Sequence, residues 1–183
     1  MTNINWTHFA AALACTCALL STPAHASSAY PMTQGLHQWP IDGGRVMLVV
    51  GTYQDVTAFH RNYAFYFKTS TDDDWNQVVI AEPGSGPQFT WDSATHGEYT
   101  LADGTVVVRD DGLYFVVASK PMAKAATYAD RRDIVATWYK FTKSSDSYDP
   151  PYMLKPVFKR DYPRTAQTVD DILARELKLQ PRK

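Results

Sequence analysis

The pair Asp111-Gly112 sits between two runs of apolar β-formers, Val106-Val107-Val108 and Leu113 to Val117. No other short signal constrains the fold of this chain as strongly. A tight hairpin turn needs positive φ at its central residues, which Asp tolerates and Gly adopts freely, so the pair predicts a two-residue turn. Both runs are apolar on both faces, which places the hairpin at the centre of a sheet, covered on either side. Gly112 is then a strained site for a β-branched residue, whereas Gly84 is expected in an open connection.

The same pattern of short apolar and aromatic runs between turn residues recurs along the chain and predicts an antiparallel β fold. Val46 to Tyr53 follows the turn Asp42-Gly43-Gly44. Arg61 to Lys68 carries Tyr63, Phe65 and Phe67 on one face and Ala64 and Tyr66 on the other. Trp75 to Ala81 pairs with it across Thr71-Asp72-Asp73-Asp74, where Asp side chains accept bonds from nearby amides. After the Pro/Gly/Ser stretch Glu82 to Pro87, two short strands are expected at Phe89 to Trp91 and Tyr99 to Leu101, with a turn at Ala102-Asp103-Gly104. Met122 to Ala129 is a helical turn or loop, Arg131 to Thr142 a long strand, and Lys143 to Pro151 a polar loop. Tyr152 to Lys159 is a late strand, in an edge position because Pro156 has no N–H to give a ladder.

Near the end the period changes. Thr168-Val169-Asp170-Asp171 has the form of a capping box, with Asp in place of Glu, and Val169, Ile172, Leu173 and Leu177 form one helical stripe. Gln180-Pro181 stops the helix. The fold class is mainly β: an antiparallel sandwich or curved sheet of about eight strands, with one C-terminal α-helix laid over a face or end.

The opening segment follows another logic. Phe9 to Leu20 is apolar or small almost throughout, the length of a signal-peptide core and too short to cross ~30 Å of hydrocarbon. Ser21-Thr22-Pro23 breaks it, and Ala24-His25-Ala26 offers small residues where a signal peptidase reads, although the segment lacks Lys and Arg. Residues 1–26 are thus expected to be a secretory signal peptide and 27–183 a single β-rich domain, periplasmic or secreted. Lipoprotein anchoring through Cys15 is the weaker alternative, because it leaves too short an apolar run before the cysteine. Both cysteines, Cys15 and Cys17, fall in the leader, so residues 27–183 hold no disulfide, thiol nucleophile or thiolate ligand. No later apolar run approaches ~18 residues, so no membrane span is expected after cleavage.

Eighteen Lys and Arg nearly cancel nineteen Asp and Glu, which argues against a nucleic-acid partner. The charges are unevenly spread. Thr71 to Asp111 holds nine acidic residues against Arg109 alone, and Pro151 to Lys183 eight basic against four acidic. Solubility and an internal electrostatic match account for this, as would an acidic face for a basic partner.

The residues of known chemistries are mostly missing. Ser85 lies between Gly84 and Gly86, without the outer glycines of a nucleophile elbow, and no Ser-x-x-Lys occurs. There is no phosphate-binding glycine loop or dinucleotide fingerprint. His37, His60 and His96 are too far apart for paired ligation, and Asp72, Asp74 and Asn76 lack the Gly and Glu of a calcium loop, so neither metal nor cofactor is predicted. Asp92, His96 and Glu98 lie together beside Trp91, close enough for an acid/base pair or a ligand grip. Of 5 Trp, 11 Tyr and 8 Phe, most alternate as core residues do. Trp39, Trp91 and the stretch Tyr148 to Tyr152 fall in loop-like segments and are the candidates for a recognition surface.

Gly97-Glu98-Tyr99-Thr100-Leu101-Ala102-Asp103-Gly104-Thr105, then Arg109-Asp110-Asp111-Gly112-Leu113-Tyr114-Phe115 and later Trp138-Tyr139-Lys140-Phe141, resemble the CarG-like periplasmic carbapenem intrinsic-resistance proteins, from roughly Leu36 onward. The resemblance assigns no residue a role. It implies a secreted factor that protects its host from a β-lactam without hydrolysing it. Two readings follow. One is a non-enzymatic envelope protein that binds a small β-lactam-like molecule or another envelope protein, as a resistance, immunity or enzyme-inhibiting factor. The other is an envelope enzyme whose acid/base residues come from separate loops, such as Asp92, His96 and Glu98.

Overall fold

The computed structural model describes residues 32–56, 58–82, 84, 86–121 and 132–179. The leader with Cys15, the segment 122–129 and Gln180-Pro181 lie outside them. The chain forms β1 (Gly35–Ile41), β2 (Gly44–Gln54), β3 (Phe59–Thr69), β4 (Asn76–Ile80), β5 (Trp91–Asp92), β6 (Ala94–His96), β7 (Tyr99–Arg109), β8 (Gly112–Ser119), β9 (Arg132–Lys143), β10 (Tyr152–Thr165) and α1 (Val169–Lys178). Among the described residues no helix is long and apolar enough to cross a membrane.

All ten strands belong to one sheet, in the order β1-β2-β3-β4-β10-β9-β8-β7-β6, with β5 on β3. It is a curled half-barrel. Ser93 and Thr95 close the curl: Ser93 N–H donates to the Arg61 carbonyl at 2.8 Å, and Phe59 N–H to Thr95 Oγ1 at 2.8 Å. The same short segment pairs with β7 through β6. The expected antiparallel pattern holds with one exception, since β4 and β10 pair in parallel at Val79–Met153 and Ile80–Leu154. No turn joins β4 to β10, so neither strand dictates the other's direction.

The Asp111-Gly112 hairpin is central, and its strands are covered on both faces. Leu113, Phe115 and Val117 enter an inner core with Leu48, Tyr63, Phe65, Phe67 and Leu154. Tyr114, Val116 and Ala118 enter an outer core with Ile134, Trp138 and Tyr162. Helix α1 closes the outer core with Val169, Ile172 and Leu173, with Leu177 packed at its margin. Thr168 and Asp171 form the expected capping box, each side chain taking the other's backbone N–H, at 3.1 and 2.9 Å.

Four expectations change. The two turn residues of the central hairpin are Asp110 and Asp111 rather than Asp111 and Gly112, since Arg109 pairs with Gly112 and Gly112 already opens β8; of these residues only Gly112 has a positive φ. Ala102-Asp103-Gly104 is not a turn, and β7 runs straight through it, because Asp103 is buried and bonded there rather than solvated. Gly35–Ile41 is a full strand, although Pro40 and the polar His37 and Gln38 hid it. Gly84 has φ of 81° against 136° for Gly112, so both need glycine's freedom. Pro156 does sit at an edge, since β10 from Lys155 onward pairs with β9 alone and bulges just after it.

Candidate functional site

The loop-like aromatics are largely core residues. Trp39 on β1 packs against the inner core beside His37, ring centroids 6.0 Å apart. Trp91 turns inward against Tyr63 and Phe115, each at 5.7 Å. Tyr152 meets Phe67 at 4.7 Å. Each lies on a strand, where alternation sends one side chain of every two inside. Tyr148 remains a surface residue, 96% exposed in the loop before β10.

The acid/base trio is divided among separate elements: Asp92 ends β5 on the β3 side, His96 ends β6 on the β7 side, and Glu98 lies in the turn between β6 and β7. Asp92 points away from Trp91 and accepts a hydrogen bond from Asn62 Nδ2 at 2.8 Å. His96 and Glu98 are exposed at the tip of the β6–β7 hairpin, where Gly97 takes a φ of 56°. Asp92 lies instead near His60. That ring stacks on Tyr53 at 4.7 Å, donates from Nδ1 to the Ser93 carbonyl at 3.0 Å, and sets Nε2 3.3 Å from the Asp55 carboxylate. The Ser93 bond is the main cause of a raised His60 pKa, with Asp55 and Asp92 adding to it. Among the described residues no cluster of His, Cys, Asp or Glu is arranged to hold a metal ion.

Inside the half-barrel, Asp103 is 1% exposed and accepts from Tyr63 Oη at 2.6 Å, Arg61 Nη1 at 2.7 Å and Gly104 N at 2.9 Å. Burial pushes its pKa up, against the pull of these three donors, and pushes the Tyr63 phenol up strongly. The network ties β7 to β3 across the inner core. It is a structural clamp, since every group in it points at another.

An open site lies elsewhere, along the free edge of β10. The last β4–β10 bond runs from Ala81 N–H to the Leu154 carbonyl at 3.0 Å. The chain then makes an excursion and returns at Gln88, which bonds back to Ile80 in both directions at 2.8 and 3.0 Å. This excursion carries Glu82 over the sheet edge. Tyr139, on β9, donates its hydroxyl to Glu82 Oε1 at 2.6 Å and so holds the carboxylate in place. Burial and the Glu82 charge both raise the Tyr139 pKa, so the phenol keeps its proton.

Two cavities, of about 530 and 500 Å³, meet at Glu82 and Pro156, and both are lined by these two residues. The first has an apolar floor of Val79, Ala81, Met153 and three prolines, with Tyr148 at its rim. Lys155 and Asp149 form an ion pair across the same rim at 2.9 Å. The second runs past Tyr139 and Thr137 to Phe158 and Lys159. Together they form a groove that is largely apolar in the first cavity and mixed in the second, where Thr137, Tyr139 and Lys159 stand beside Pro156, Val157 and Phe158; a concave surface with a few convergent polar groups suits a small molecule. Of the recognition candidates in the sequence, only the stretch from Tyr148 lines it, through Tyr148, Asp149 and Pro150. Glu82 gave no local signal, because its partner Tyr139 lies 57 positions away.

No protein-family model matches this chain, and no curated protein matches it. Among solved structures, the crystal structure of CarG matches with a TM-score of 0.63 at 19% sequence identity, over 79% of this chain and 92% of that one. The curled sheet with its C-terminal helix is therefore similar in fold to CarG.

Proposed function

We propose that this chain is a non-enzymatic binding protein of the bacterial envelope, a resistance or immunity factor that protects against a carbapenem without hydrolysing it. The observation that carries the binding role is the groove at Glu82, where apolar walls converge on a fixed carboxylate–phenol pair. The fold likeness to CarG supports the protective role, and the apolar segment Phe9 to Leu20 supports export. Expression of the full chain in a carbapenem-sensitive enteric bacterium tests this. A raised inhibitory concentration is expected, with no loss of carbapenem absorbance when the purified protein is added. An unchanged inhibitory concentration, or hydrolysis by the purified protein, would overturn it.

A protein partner is the second reading, favoured by one feature. The β1–β2 and β7–β8 turns bring Asp42, Asp110 and Asp111 around a single cavity of about 560 Å³ at one end of the half-barrel. Arg109 lines the same cavity and Lys140 pairs with Asp111 at 3.1 Å, so Asp42 and Asp110 carry the negative charge left on this surface, suited to a basic partner. Pull-down with the Asp42→Asn/Asp110→Asn variant separates the two readings: a protein partner is lost, and a groove ligand is kept.

A further inference from the structure

We infer that the groove takes an amphipathic organic ammonium, whose protonated amine is received by Glu82 while its apolar body lies on Val79, Met153 and Pro156. This rests on the reading of the groove as the binding site and narrows it: a carbapenem, which has a carboxylate of its own, is received there through a cationic side chain, with its carboxylate turned away from Glu82. The charge at the meeting point of the two cavities decides the class. Glu82 Oε1 is taken by the Tyr139 hydroxyl, while Oε2 has no partner among the described residues. Tyr139 is buried and its hydroxyl is spent on Glu82, so it offers the ligand no competing donor.

The cations nearby do not reverse this sign. Lys155 is matched by Asp149 at the rim, and Lys159 is exposed at the far end of the second cavity. A ligand seated at the junction therefore faces a carboxylate first. A cation gains a charge-assisted hydrogen bond there, and an anion meets repulsion in a half-enclosed site where water screens it less. Tyr148 adds a second reason. Its exposed ring stands at the rim, able to lie over a bound ammonium, an arrangement that attracts cations to the aromatic face.

The test uses probes of one size and three charges on the full chain: 2-phenylethylamine, 2-phenylethanol and 3-phenylpropionate. Binding is followed by ¹⁵N chemical-shift mapping and calorimetry. The amine should bind at least about tenfold more tightly than the anion, with shifts centred on Ala81, Glu82 and Met153. Glu82→Gln should abolish that preference at an unchanged melting temperature, and Tyr148→Ala should weaken the amine about threefold. Tyr139→Phe, which frees the carboxylate without removing it, should keep the preference for the amine. Equal binding of amine and anion, or a Glu82→Gln protein that still prefers the amine, overturns the inference while leaving the groove as the site. Shifts from every probe that map outside the groove overturn both.

Discussion

The two faces of the β7–β10 sheet make the instructive comparison. Each covers an apolar core, and each core holds one buried carboxylate gripped by a tyrosine and an arginine. On the inner face Asp103 takes Tyr63 and Arg61 from β3. On the outer face Glu176, fully buried, takes Tyr162, Arg160 Nη1 at 2.8 Å and Trp138 Nε1 at 2.7 Å. The chemistry is alike but the elements joined are not. Asp103 links two strands of one sheet, already fastened by backbone ladders and by rings packed around Phe115. Glu176 lies on a helix with no ladder to the sheet, so its side-chain bonds and three apolar residues do most of the fastening. An isolated ten-residue helix is marginal in water, and tertiary packing must hold it. The outer core should therefore fail first.

Removal of α1 is the strongest test of that difference. Truncation after Thr165 uncovers Val107, Tyr114, Val116, Trp138 and Tyr162 together, so the protein should melt far lower, bind hydrophobic dyes and aggregate. An unchanged melting temperature would mean that the helix is a detachable tail. Within the helix, Leu173→Ala should cost about 2–5 kcal/mol, as for other buried leucines, and Arg175→Ala less than about 0.5 kcal/mol by urea unfolding.

Next in size is Glu176→Ala. It leaves the Arg160 guanidinium, the Trp138 N–H and the Tyr162 hydroxyl without their acceptor, a loss of about 3–5 kcal/mol for a broken buried pair. The Trp138 indole resonance should shift with it. A cost below about 1 kcal/mol would show that water or a rearranged side chain replaces the carboxylate, and that the apolar stripe alone docks the helix.

Backbone strain comes third. Gly112 and Gly84 both hold positive φ, at 136° and 81°. Replacing either by Val should cost about 1–3 kcal/mol, with no large gap between them. A much larger loss at Gly112 would restore the ranking expected from the sequence, and would place the difference in its contact with Lys140, where an added Cβ comes 3.3 Å from Cε.

The smallest effect is in pH. Burial holds the Asp103 pKa above its ordinary value. The folded state then binds that proton more tightly than the unfolded one, so the stabilisation is full below the unfolded pKa and is lost as pH rises through the folded one. The stability of the parent protein relative to Asp103→Asn should fall across that window in denaturant titrations. Asp171 at the helix cap runs the other way. Its bond from the Thr168 N–H lowers its pKa, so its contribution is present above the unfolded value and fades as pH falls. Parallel slopes for Asp103→Asn and Asp171→Asn would contradict the contrast between a buried and a capping carboxylate.

Much of the fold was legible because it is local. The central hairpin, the Tyr63–Phe65–Phe67 face, the capping box and the Val169–Ile172–Leu173 stripe all depend on residues within a few positions of each other, and the structure keeps all of them, with the hairpin turn one residue earlier than the Asp-Gly pair. The candidate groove was legible only in the stretch from Tyr148, whose Asp149 and Pro150 line it as well. Trp39 and Trp91 looked like loop aromatics because β1 and β5 lack strong β-formers, and Tyr152 because it stands where the polar loop passes into β10. Asp92, His96 and Glu98 are close in sequence and of one strand parity, but the chain breaks between β5 and β6 and turns after β6, so each lies on a different element.

Taken alone, then, the sequence determined the class: which stretches are extended, where the central hairpin turns, and which stripe of the helix is apolar. These follow from side-chain periodicity and turn chemistry, which act over a few residues. Tertiary structure decided the rest. It chose the parallel β4–β10 pairing, buried Asp103 in what reads as a turn, and set Glu176 inside a helix interface. It also brought Glu82 to Tyr139 at the edge of β10. Each of these joins groups between 14 and 74 positions apart, and no local propensity encodes such a distance. They arise because a buried polar group must find its partner wherever the packed chain places one.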